Sequence, residues 1–126
     1  MTQGNIQWSE LVSADVEASK KFFAEVVGWE INEMPMPNGP YNICMAGGVP
    51  VAGIMGVDQI EADHEIHPHW MTYIAVDDCD AAAAKVAGAG GTVVREPFDI
   101  PGVGRIAIVA DPGQGICGIM THAPQE

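Results

Sequence analysis

The sequence predicts an α+β chain built from two tandem βαβββ modules, and three internal echoes predict it. The segment from Trp8 to Asp15 recurs in pattern from Met71 to Asp78, each a strand-like stretch ending on Asp where a helix begins. Gly28 follows Trp8 at the same distance at which Gly91 follows Met71. The segment from Val51 to Gly56 is echoed from Ile116 to Thr121, with a drift of two residues that one loop absorbs. A ferredoxin-like arrangement also alternates strands and helices, but it places two strands between its helices. This repeat supplies three, followed by a new first strand.

Each element has a local cause. Residues 6–12 alternate in polarity as a half-buried strand does. Asp15 is suited to cap a helix, because its carboxylate can accept from an orphan amide of the first turn. Ser19, Phe22, Phe23, Val26 and Val27 then read as one helical face, and Gly28 ends the helix. Strands follow near 29–34, 41–46 and 49–57, with Gly47 and Gly48 as a hairpin turn. Module one thus covers about 6–57, an acidic, polar linker 58–68, and module two about 69–122. In module two a strand at 70–76 leads to an Ala-rich helix from Asp78 to about Gly88. Strands near 92–95, 104–110 and 115–122 come next, the last two joined by a turn from Asp111 to Gly115. A length of 126 residues fits one domain holding both modules, 1–126.

Composition narrows the function classes. An apolar share of 48% is too rich for a disordered chain. No apolar run reaches the length of a membrane span, and the stretch from Val49 to Val57 is broken by Pro50, Gly53 and Gly56. Residues 1–5 show no basic start and no apolar signal core, and Cys44, Cys79 and Cys117 lack metal-ligand spacing and sit among apolar residues. These features predict a cytoplasmic protein with reduced thiols. Seventeen acidic residues against five basic ones give a net charge of −12, which argues against nucleic acid or an anionic membrane as partner. The acidity serves solubility, or it serves a pocket that attracts cations.

Several motifs resemble the vicinal-oxygen-chelate superfamily, which holds the glyoxalase, bleomycin-resistance and extradiol-dioxygenase relatives. Asp15, Ser19, Phe22 and Phe23 with Val27, Gly28 and Trp29 are similar to the family's first helix and its exit. The run from Val76 through Asp77, Asp78 and Asp80 to Ala82 resembles its second helix start, and Ala110, Asp111 and Pro112 with Gly115 resemble its last hairpin. More narrowly, the stretches at 68–70, 48–54 and 97–105 resemble a glyoxalase-like bacterial subgroup. The resemblance covers essentially the whole chain. It implies a cupped sheet, a small organic molecule as partner, and a homodimer.

Metal-dependent members of this family take ligands from the first and last strand of each module. Those positions fall here on Trp8, Gly53, Met71 and Gly118. An indole N–H only donates, a thioether is soft and glycine has no side chain, so the expectation is no metal and no cofactor. Glu61, Asp63, His64, Glu65, His67 and His69 cluster within the linker and read as a solvated loop. Cys44 and Cys117 read as strand packing, and the glycines from Gly88 to Gly91 as a helix end.

A cup without metal ligands presents Trp8, Glu10, Tyr41, Met71, Tyr73 and Arg105 as candidate ligand-binding residues, unless Trp8 and Met71 fill it as core. Glu10 lies two residues past Trp8 on the same side of its strand. It is the candidate to pair with a cationic ligand or, as a catalytic residue, to act as general base. Arg105 would hold a ligand carboxylate or offset the acidic surface. The primary expectation is a metal-independent small-molecule-binding protein of the glyoxalase/bleomycin-resistance type, sequestering a cationic or aromatic ligand. The alternatives are an isomerase or lyase that uses Glu10 as base or an atypical metal site, and a structural subunit with a filled cup.

Overall fold

A computed structural model of the chain describes residues 3–37, 39–60, 65–100 and 103–122. The elements run β1 (Ile6–Ser13), α1 (Val16–Val27), β2 (Glu30–Met34), β3 (Tyr41–Ala46), β4 (Val49–Gly56), β5 (His69–Ala75), α2 (Cys79–Lys85), β6 (Thr92–Ile100), β7 (Gly104–Ala110) and β8 (Ile116–His122). Short 3₁₀ turns lie at Val57–Gln59 and Ala87–Ala89. The order is βαβββ twice, as the repeat predicts. The chain divides into two compact units, one formed by Trp8–Met71 and the other by Thr72–Glu126 with Met1–Gln7.

In module one, β1 lies parallel to β4, and β2, β3 and β4 are antiparallel neighbours, giving the order β2-β3-β4-β1. The Asp15 carboxylate accepts from the Ala18 N–H at 3.1 Å and so starts α1. Gly28, with φ +77°, ends it in the left-handed region that glycine enters without steric cost. Buried Cys44, Ala52 and Ile54 form the core, and Leu11, Val16, Phe23, Trp29 and Ile31 pack against them. The expected single apolar face of α1 is corrected here. Phe23 meets the core, whereas Phe22, Val26 and Val27 are 55%, 62% and 52% exposed. With 3.6 residues per turn, Phe22 points about 100° round the helix from Phe23, away from the core that Phe23 meets.

In module two, β5 lies parallel to β8, and β8, β7 and β6 are antiparallel neighbours. Asp78 repeats the role of Asp15, its carboxylate accepting from Ala81 N–H at 3.1 Å. The core gathers Val76, Cys79, Ala83, Ala107 and Ile119. Two expected boundaries move. The second helix ends as α at Lys85 and tightens to 3₁₀ over Ala87–Ala89, as helix ends without side-chain caps often do. β6 continues past residue 95 to Ile100, through Pro97. Its register against β7 shifts between Val93 and Arg95 and again between Arg95 and Phe98, and it is an outer strand. An edge with bulges tolerates a residue that has no N–H to donate.

Candidate functional site

Because successive strand residues alternate sides, the core fixes which side chains face α1 and which face away. Leu11, Cys44, Ala52 and Ile54 face the helix. Trp8, Glu10, Tyr41 and Gly53 therefore belong to the opposite face of module one. There the Trp8 indole N–H donates to the Tyr41 hydroxyl at 2.9 Å. Glu10 is the register partner of Gly53 on the adjacent strand. The Tyr41 ring lies over Gly53, where a Cβ would overlap its hydroxyl and ring carbons. An indole, a carboxylate and a phenol thus share one strand face, each half-buried.

Module two repeats the device. Tyr73 is the register partner of Gly118, and a Cβ on Gly118 would overlap the Tyr73 ring. Met71 stands two residues earlier on β5 and is half-buried. Arg105 does not share the face of Tyr73, which corrects its expected place among the ligand-binding residues. On β7 it is in phase with Ala107, a core residue packed against α2, whereas Gly118 is out of phase with core Ile119. Its guanidinium donates to both carboxylate oxygens of Asp80, at 2.7 and 3.0 Å, and its Nη1 lies 3.1 Å from Asp99. The hydrogen bond from Arg105 holds the Asp80 carboxyl below its ordinary value, and the two carboxylates raise Arg105. In the sequence both partners stood only within stretches of the resemblance and not as partners of Arg105, although Asp99 and Arg105 flank one hairpin and face each other in its register.

The four positions that the resemblance assigns to metal ligands do not fit a divalent ion. Trp8 offers a donor already committed to Tyr41, Met71 offers only a thioether, and Gly53 and Gly118 each lie under a tyrosine ring. Among the described residues no three His, Cys, Asp or Glu side chains gather closely enough to hold an ion. Glu61, Asp63 and His64 of the linker cluster lie outside the described residues. His69 donates from Nδ1 to the His67 carbonyl at 2.7 Å. Burial raises the Cys44 thiol to about 11 and also raises Cys79 and Cys117, as unreactive packing thiols require.

The family model of the Glyoxalase/Bleomycin resistance protein/Dioxygenase superfamily matches residues 5–116. The chain belongs to this superfamily. Among curated relatives, "Putative glyoxylase CFP32" of Mycobacterium bovis is 39% identical, the match covering 98% of this chain and 46% of that protein. "Anthracycline biosynthesis protein DnrV" of Streptomyces peucetius is 34% identical over 83% of this chain and 42% of its own length. The chain therefore spans less than half the length of the curated relatives it matches. Of the solved structures, hypothetical protein BH1468 from Bacillus halodurans superposes with a TM-score of 0.73 at 9% identity, covering 99% of both chains. Methylmalonyl-CoA epimerase from Mycobacterium tuberculosis gives 0.65 at 15% identity, covering 96% of this chain and 89% of its own. At such identities the likeness shows the superfamily's fold and nothing of its chemistry. No described helix is long and apolar enough to cross a membrane.

Proposed function

We propose that this chain binds a small organic molecule without a metal and that the Trp8–Glu10–Tyr41 cluster takes an aromatic or cationic ligand. The observation that carries this reading is the Trp8–Tyr41 hydrogen bond beside Glu10, on the face where Gly53 offers no ligand atom. Half-buried aromatic rings attract flat apolar groups and cations, and a carboxylate beside them favours positive charge. The net charge of −12 raises the local concentration of cations. The similarity to a protein named for anthracycline biosynthesis agrees with an aromatic ligand. We further place the protein in the cytoplasm, where Cys44, Cys79 and Cys117 stay free, and acting as a homodimer. The alternative of an isomerase or lyase with Glu10 as base draws on the 39% identity to a protein named putative glyoxylase and on fold likeness to an epimerase at 15% identity.

The test uses protein purified without a His-tag. Its metal content is measured, and it is titrated with a planar aromatic cation, a neutral aromatic of the same shape and an aliphatic cation, followed by tryptophan fluorescence. Expected are substoichiometric metal, binding of the aromatic cation, and about tenfold or greater weakening by Glu10→Gln. Stoichiometric zinc, nickel or iron overturns the metal-free reading, and an unchanged Glu10→Gln affinity overturns the role of the carboxylate.

A further inference from the structure

The Gln59 side chain ties together two backbone groups that lie past the end of the β3–β4 ladder. From the β3 side, the first pair of that ladder is Asn42 with Ile54, and its register carried two residues on sets Pro40 opposite Gly56. Proline has no N–H, so it cannot donate to Gly56. The primary amide of Gln59 fills this place. Its Oε1 accepts from the Gly56 N–H at 2.7 Å, and its Nε2 donates to the Pro40 carbonyl at 3.0 Å. Gly39, with φ +118°, leaves room for the amide, since a Cβ there would lie 3.0 Å from Nε2. The 3₁₀ turn Val57–Gln59 presents the amide directly after β4, three residues from the N–H that it holds.

The Pro40 carbonyl belongs to the peptide unit whose nitrogen is that of Tyr41. A peptide unit is planar, so fixing its carbonyl restricts the rotation that carries the Tyr41 side chain. Tyr41 opens β3, and its hydroxyl, lying over Gly53, accepts from Trp8. That hydroxyl is the far end of the side chain, and a binding site tolerates only about 0.5 Å of misplacement. We infer that Gln59 is a positioning residue for the Trp8–Glu10–Tyr41 site, acting on the ligand through Tyr41 by holding the peptide that leads into β3. The inference rests on the ligand-binding reading of that site.

The indole N–H signals of the three tryptophans test this by NMR of the full chain, Trp8 being assigned by its loss in Trp8→Phe. Trp29 and Trp70 contact Phe23 of α1 and serve as internal references. Tyr41→Phe marks where the Trp8 signal stands once its acceptor is gone. Gln59→Met keeps the bulk without either hydrogen bond. Gln59→Glu at neutral pH keeps the acceptor for Gly56 but sets a negative oxygen against the Pro40 carbonyl. In both, the Trp8 signal moves toward its Tyr41→Phe position while those of Trp29 and Trp70 stay, and the planar aromatic cation binds about three- to tenfold more weakly. A Trp8 signal unmoved in both variants overturns the inference. So do equal shifts of all three indoles, which mean a loosened module rather than a misplaced ring. A moved Trp8 signal with undiminished affinity overturns the part of Gln59 in binding. A moved signal in a chain that binds no aromatic cation even when unaltered supports the clasp and overturns the ligand reading instead.

Discussion

Gly53 and Gly118 stand at matching places in their modules, and each leaves room that a tyrosine ring occupies. From the sequence, both glycines were legible as missing ligands; the rings above them were not. The reason lies in the β3–β4 hairpin. Ala46 pairs with Val49 and Met45 with Pro50, a register that would set Gly53 opposite Asn42. A shift between Cys44 and Met45 pairs Gly53 with Ile43 instead, which puts Tyr41 on the side of Gly53. One residue of slip reverses every side chain beyond it. Gly53→Ala is expected to destabilise the protein by about 1–3 kcal/mol, because the added methyl overpacks against the ring. Urea denaturation measures this, and adding Tyr41→Ala to Gly53→Ala removes the overlap, leaving only the loss of the ring. A Gly53→Ala protein as stable as the parent would show that the ring does not rest on the glycine.

The elements α2, β6 and β7 meet at Asp80, Asp99 and Arg105, one from each. The sequence left Arg105 open between holding a ligand and offsetting acidic surface. Its place in phase with core Ala107, on the side of α2, decides for the ion pair. Asp80 titrates below its ordinary 3.8 because Arg105 binds its charged form. The linkage has one sign: a carboxyl depressed in the folded state lends stability that is complete above its unfolded value and is lost as pH falls through the folded one. Both groups are exposed, so salt screens the effect. Arg105→Gln is expected to move the Asp80 midpoint upward, followed by carboxyl chemical shifts across an NMR titration. An unmoved midpoint would mean that the two groups do not pair in solution. The helix caps, by contrast, were legible in full: Asp15 and Asp78 act through amides three residues away, and no distant contact is needed to place them.

Across the whole molecule, seventeen acidic and five basic residues repel on balance. Two of the basic residues are already paired, Lys20 with Glu17 at 3.1 Å and Arg105 with its two aspartates. Neutral salt screens the many repulsions more than it weakens these few attractions. The unfolding midpoint at neutral pH is therefore expected to rise with sodium chloride, read by thermal denaturation at fixed protein concentration. A falling midpoint would mean that the local ion pairs outweigh the net charge.

The sequence by itself determined the doubled βαβββ order, the Asp caps, the helix end at Gly28 and the turn at Gly47 and Gly48, where φ is +56° and +80°. All of these depend on interactions within a few residues, or on a repeat that shows as self-similarity. Only the tertiary structure decided that Tyr41 shares the side of Gly53, how Arg105 is held, and that β6 runs on through Pro97. Those outcomes depend on strand register and on bulges, and the alternating geometry of a strand turns one residue of register into the opposite face.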